Sequence, residues 1–138
     1  MPDHRATRNN RDREEPRKMR VLCAEDEKPL AYLMKMILER EGHIVECVGD
    51  GMDALERIDT ELDCFDLLIT DHKMPRMNGL ELVTALRARP FAGKIAVHSA
   101  YLTGAEILSY RQLGVEHVLA KPLDTKTLIQ LVRLIAGS

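Results

Sequence analysis

Four positions in this chain pair a reactive side chain with the end of an apolar run. Asp71 closes Phe65-Asp66-Leu67-Leu68-Ile69-Thr70-Asp71, and a polar turn containing Lys73, Met74-Pro75 and Asn78-Gly79 follows at once. Glu25-Asp26 follows Val21-Leu22-Cys23-Ala24, Ser99 follows Ile95-Ala96-Val97-His98, and Lys121-Pro122 follows Val118-Leu119-Ala120. A carboxylate at the end of a buried strand is costly unless it is paired or binds a metal. Three clustered carboxylates repel one another, so either one of them holds its proton or a cation joins them. A hard divalent ion such as Mg²⁺ suits oxygen ligands and leaves room for a phosphate oxygen. An ammonium and a hydroxyl beside it complete a cradle for the oxygens of a phosphoryl group. One carboxylate is then free to act as nucleophile, through an aspartyl phosphate, and Asp71 is the central candidate.

The elements that must position these residues alternate. Apolar runs fall at 20–24, 44–48, 66–70, 94–98 and 116–120, with helical periodicity between them. Leu30, Leu33, Met34, Ile37 and Leu38 form an amphipathic stripe, with Pro29 suited to the first turn and Gly42 to the end. Ala54, Leu55, Ile58 and Leu62 mark a second helix begun by Asp50-Gly51, and Leu82, Val83 and Leu86 a third ended by Pro90. Ala105, Leu108 and a less regular stretch to Leu113 mark a fourth, closed by Gly114. Leu128, Leu131, Val132 and Ile135 mark a fifth, with Asp124 as its N-cap. Five β-α units imply an α/β fold, a doubly wound five-stranded parallel sheet covered on both faces. The expected strand order is 2-1-3-4-5, a flavodoxin-like (βα)5 arrangement with its crevice at the carboxyl ends of strands 1 and 3. That topology brings Glu25, Asp26 and Asp71 together and sets Ser99 and Lys121 along the same edge.

The bulk composition fits one ordinary globular domain: 138 residues, 45% hydrophobic and 30% charged. No apolar run is long enough to span a membrane, and the N-terminus has no secretory h-region, so a cytoplasmic protein is expected. Residues 1–18 hold six basic and four acidic side chains without apolar periodicity and read as a disordered tail, with the domain at 19–138. The remaining 14 basic and 18 acidic residues make the domain mildly acidic, so direct nucleic-acid binding is not expected. Three cysteines without metal-ligand spacing, Cys23, Cys47 and Cys64, read as reduced thiols, mostly in the core. His72 and His98 read as local packing or surface residues.

In these motifs the sequence resembles a two-component response-regulator receiver domain over about residues 19–137, and is similar to stand-alone chemotaxis regulators. Glu25-Asp26, the run to Asp71, Met74-Pro75, Asn78-Gly79, Ser99-Ala100 and Lys121-Pro122 occur in order at successive strand ends. The resemblance implies that Asp71 accepts a phosphoryl group from a sensor histidine kinase or histidine phosphotransfer protein. It implies that Asp26, Asp71 and the backbone carbonyl of Lys73 bind Mg²⁺ or Mn²⁺, with Glu25 joining through water. Lys121 would pair with the phosphoryl oxygens, Ser99 would move toward them, and Lys121-Pro122 would be cis. The protein would be a phosphoacceptor, not a turnover enzyme. Output would run through the face of helix 4, strand 5 and helix 5, to an unidentified partner or a phosphorylation-dependent homodimer.

Three positions depart from the family pattern. Glu25 stands where aspartate is common, and Ser99 replaces the frequent threonine. Val118 takes a strand-5 position that is often aromatic and coupled to Ser99, which leaves that coupling without its usual ring; Tyr101 and Tyr110 are candidates for a related role. Lys73 and Tyr101 occupy positions that, by resemblance, tune phosphoryl lifetime, and their bulk and charge point to slow loss. The chain stops at Ser138, soon after the fifth helix, so a stand-alone regulator is expected. The alternatives are a receiver-like interaction module that is not phosphorylated, a phosphohydrolase and a flavin binder. A hydrolase would want an acid two residues after its nucleophile, where Lys73 stands, and a flavin site a Ser/Thr/Gly loop where Glu25-Asp26 stands.

Overall fold

A computed structural model describes residues 17–137. All but the last two residues of the expected tail lie outside the described residues. Ten elements alternate: β1 (Arg20–Ala24), α1 (Lys28–Arg40), β2 (Ile44–Val48), α2 (Gly51–Thr60), β3 (Leu67–Asp71), α3 (Gly79–Arg87), β4 (Lys94–Ser99), α4 (Gly104–Gln112), β5 (His117–Ala120) and α5 (Thr125–Ala136). The sheet is parallel in the order β2-β1-β3-β4-β5, the order read from the sequence. In register, Ala24 pairs with Thr70, Asp71 with His98, and Ser99 with Ala120. The ends of β1, β3, β4 and β5 therefore share one edge.

Alternation along each strand builds two cores. Val21, Cys23, Leu67, Ile69 and Leu119 face α1 and α5, where Met34, Leu38, Leu128 and Val132 meet them. Leu22, Leu68, Ile95 and Val97 face Ala54 and Ile58 of α2, Leu82 and Leu86 of α3, and Tyr110 of α4. β3 is buried along its whole length, so both of its faces read as apolar. Each fully buried leucine in it is worth about 2 kcal/mol relative to exposure.

Side-chain caps fix where four helices begin. Asp50 accepts from the Asp53 amide, Asn78 and Thr103 form capping boxes with Glu81 and Glu106, and Asp124 caps α5 as expected. Pro29 lies in the first turn of α1. Gly42 and Gly114 follow α1 and α4 at φ of 94° and 83°, a region that favours glycine.

Several expectations are corrected. Cys47 is exposed and Cys64 half-buried, leaving only Cys23 in the core. β2 is an edge strand, and an apolar run in sequence does not distinguish an edge from a centre. Leu108 of α4 and Leu33 of α1 are exposed, and Tyr110 is the one buried residue of α4. α3 ends at Arg87, before Pro90, and Leu62 lies beyond the end of α2.

Candidate functional site at the carboxyl edge of the sheet

The four strand ends meet in one open groove of about 720 Å³, lined by residues including Asp26, Asp71, Lys73, Ser99, Tyr101 and Lys121. Carboxylate oxygens of Glu25, Asp26 and Asp71 lie within 4.8 Å of one another. Asp71 and Glu25 are buried and Asp26 is exposed. Lys121 Nζ stands 2.8 Å from Asp71 Oδ2 and 3.4 Å from both Glu25 Oε1 and Glu27 Oε1. The Lys73 amide donates to Asp71 Oδ1 at 3.4 Å. Ser99 is buried at the end of β4, and its hydroxyl donates to the Tyr101 carbonyl at 3.2 Å. Lys121-Pro122 is cis, as the resemblance implied.

Burial raises the Glu25 carboxyl to about 7, opposed by the Glu27 amide and reinforced by the negative charge of Asp71. Its Oε2 accepts from that amide at 3.0 Å, while its buried Oε1 makes no hydrogen bond. Burial works against the Lys121 ammonium, but Asp71 outweighs it and holds the lysine above its ordinary range. A buried acid whose Oε1 faces the Lys121 ammonium at 3.4 Å without a hydrogen bond, beside two further carboxylates, is a donor set that fits a hard divalent ion.

A match to the response regulator receiver domain family spans residues 21–133. The chain belongs to this family. Its curated relatives include the sensory/regulatory protein RpfC of Xanthomonas campestris pv. campestris, 33% identical over 132 residues, covering 93% of this chain and 18% of that protein. Another is the transcriptional regulatory protein TctD of Salmonella typhimurium, 33% identical over 110 residues, covering 80% of this chain and 48% of the relative. The receiver domain thus spans less than half the length of these relatives. Among solved structures, the receiver domain of Francisella response regulator 1452 is 27% identical with a TM-score of 0.78, covering 86% of this chain and 97% of that one. The chemotaxis protein CheY4 of Vibrio cholerae is 25% identical with a TM-score of 0.78, covering 86% and 98%.

Within this receiver domain the constellation of Glu25, Asp26, Asp71, Ser99 and Lys121 is brought together as expected. Lys73 and the exposed Tyr101 both line the groove. Val118 is exposed on β5 and is not among the lining residues. Of the two readings of His98, packing holds: it is buried on β4, with Nδ1 3.9 Å from Glu25 Oε1 and neither ring nitrogen hydrogen-bonded. Burial, and then the charge of Lys121, lower its pKa.

Other residues that shape the site gave little sequence signal. Asp50 Oδ2 accepts from Arg76 Nε at 2.7 Å, and Asp53 Oδ1 accepts from Arg76 Nη2 at 2.7 Å. This double tie holds Arg76 at a φ of 64° in the loop after β3. His72 Nδ1 is 2.7 Å from the Tyr110 hydroxyl, and Nε2 is 3.0 Å from Glu106 Oε2. The Thr103–Glu106 capping box at the start of α4 belongs to this second cluster.

A raised Glu25 carboxyl would make binding of a divalent ion at these acids sensitive to pH. Asp26, Asp71, Lys121 and His98 are the charged and titratable groups near this carboxyl, and the Glu27 amide donates to it. Its folded value lies above the unfolded one, so the protonated acid favours the fold at low pH. That contribution is lost as pH rises through about 7, where an ionised Glu25 gains from a cation. Mg²⁺ affinity should therefore rise between pH 6 and pH 8, by up to about tenfold per unit below the midpoint for one displaced proton. Titration calorimetry at several pH values measures this. Glu25→Gln should flatten the dependence, and an equally steep curve in that variant would contradict the assignment.

Proposed function

We propose that this receiver domain is a phosphorylation-operated switch, with Asp71 the acceptor of a phosphoryl group from a histidine kinase or histidine phosphotransfer protein. The observation that carries this is the Lys121 ammonium, 2.8 Å from Asp71 Oδ2, with carboxylate oxygens of Glu25 and Asp26 within 4.8 Å of that of Asp71. Asp26, Asp71 and the Lys73 carbonyl would hold Mg²⁺, with Glu25 joining through water. The ion would supply positive charge for the phosphoryl oxygens, which would otherwise meet a wall of acids.

In the transfer, an Asp71 oxygen bonds to phosphorus as the donor's N–P bond breaks, and the imidazole leaves with the bonding pair and takes a proton. Lys121 turns from Asp71 toward the new phosphoryl oxygens, a charge-assisted contact that strengthens as charge moves outward. Ser99 exchanges the Tyr101 carbonyl for a phosphoryl oxygen. Lys73 and Tyr101, at the groove's rim, hinder an attacking water and lengthen the phosphoryl lifetime. Exposed Leu108, Val118 and Leu134 lie on α4, β5 and α5, the face through which a downstream partner or a second copy would read the switch. The setting is the cytoplasm, and the protein acts on its own or within a longer chain.

Intact mass after incubation with Mg²⁺ and acetyl phosphate tests the reading. The expected result is one added phosphoryl group, mapped by fragmentation to Asp71, decaying over minutes rather than seconds. No gain under saturating donor would overturn it. Continuous release of phosphate from general esters would favour a hydrolase.

A further inference from the structure

Tyr110 heads the fully buried side chains by volume, and its ring packs in the core shared with α2 and α3. Its hydroxyl emerges at the end of β3, 2.7 Å from His72 Nδ1, and the two rings meet edge to face at 5.6 Å. The other side of the imidazole reaches Glu106, with Nε2 3.0 Å from Oε2. One neutral tautomer satisfies both contacts: the Tyr110 hydroxyl donates to Nδ1, and Nε2–H donates to the carboxylate.

Glu106 also ties down the loop on the far side of the groove. Its Oε1 accepts from the Thr103 amide at 2.9 Å, and the Thr103 hydroxyl accepts from the Glu106 amide at 3.1 Å. Thr103 ends the loop that starts at Ser99, whose hydroxyl holds the Tyr101 carbonyl. His72, the neighbour of Asp71, thus reaches Tyr110 with one ring nitrogen and Glu106 with the other; Glu106 holds Thr103 at one end of the loop, and Ser99 holds Tyr101 near its other end. On the β5 side, Val118 offers neither a ring nor a hydroxyl.

We propose that Tyr110 is the positioning residue that carries the state of Asp71 into α4, acting through His72 and Glu106; this rests on the phosphorylation reading above. When Ser99 leaves the Tyr101 carbonyl, the loop loses one of its ties. The first turn of α4 is then held by the Thr103 cap and by the contact to His72. α4 buries only Tyr110, so it has little other packing to fix it, and a weakly packed element has low local stability. Because Tyr110 touches the residue that follows Asp71, a shift of the β3 end moves α4 through one side chain.

Hydrogen exchange across residues 104–112, with and without acetyl phosphate and Mg²⁺, tests this in the whole protein, with intact mass taken on the same samples. Tyr110→Phe should gain the phosphoryl group to the wild-type extent. Its phosphorylation-dependent change in α4 exchange should be at least about fivefold smaller, the low end of ordinary site-to-site coupling. A purely structural role would change exchange equally in both states and leave the difference intact. Glu106→Gln keeps a capping oxygen while disturbing the His72 contact, and should weaken the response in the same direction if the phenylalanine variant fails to fold. A full wild-type response in both variants overturns the proposal, as does phosphorylated wild-type protein with no change in α4. Absence of any mass gain would instead bring down the phosphorylation reading, and this proposal with it.

Discussion

Lys121→Met should slow phosphoryl uptake from acetyl phosphate by about a hundredfold to a thousandfold, the usual effect of removing one donor to a developing anion. Methionine keeps most of the stem and removes the ammonium, so packing changes little and charge changes by one. Among the described residues, Lys121 is the cation paired with Asp71, and it also approaches Glu25 and Glu27. Without it the incoming phosphoryl group meets carboxylates and metal, with no fixed positive charge on the opposite side. Lys121→Arg should not restore the wild-type rate, because a planar guanidinium is longer and cannot place one compact charge 2.8 Å from Asp71 Oδ2. Mg²⁺ binding should persist in both variants, since the carboxylates remain. A mass time course gives the rate and calorimetry the metal affinity. An unchanged uptake rate in Lys121→Met would remove Lys121 from the site chemistry.

The five strand-end residues were readable because each ends an apolar run and because parallel topology leaves few ways to arrange the runs. Asp71, Glu25 and Asp26 needed only the switch point between β1 and β3 to be brought together. The Tyr110 cluster was not readable in the same way. His72 and Tyr110 stand 38 residues apart, and nothing in either local pattern marks the other. α4 was the least regular of the predicted helices, and its expected core residue, Leu108, faces solvent while Tyr110 carries its burial. The sequence shows the same blindness to edges and centres at Cys47, where β2's outer position decides exposure. For His98 the sequence leaves packing and surface open, and the central place of β4 decides for packing, with the ring nitrogens making no hydrogen bond. In each case a tertiary neighbour decides the role.

Gly79→Ala should cost about 3 kcal/mol, the upper part of the usual range for overpacking, and lower the melting temperature by on the order of 10 °C. Helix propensity alone predicts the opposite sign, since Gly79 opens α3 and alanine is the better helix former by about 1 kcal/mol in a helix interior. Contact decides against it. An added Cβ would lie 2.5 Å from the Asp71 carbonyl oxygen, 2.7 Å from the Tyr110 hydroxyl and 3.0 Å from His72 Cα. Two of these atoms are backbone at the end of β3. The third is held by its bond to His72 and by a ring buried in the core. None is the free end of a flexible side chain. The Gly79 amide also donates to the His72 carbonyl at 2.8 Å, so α3 cannot retreat without breaking that bond. Any relief must move Asp71 or Tyr110, the two residues through which the groove and α4 communicate. Phosphoryl uptake should therefore fall even at temperatures where the variant remains folded, while the Asn78–Glu81 capping box keeps the helix itself intact. Thermal melts and circular dichroism separate these effects. A variant as stable as wild type would show that the strand end yields more easily than its contacts imply.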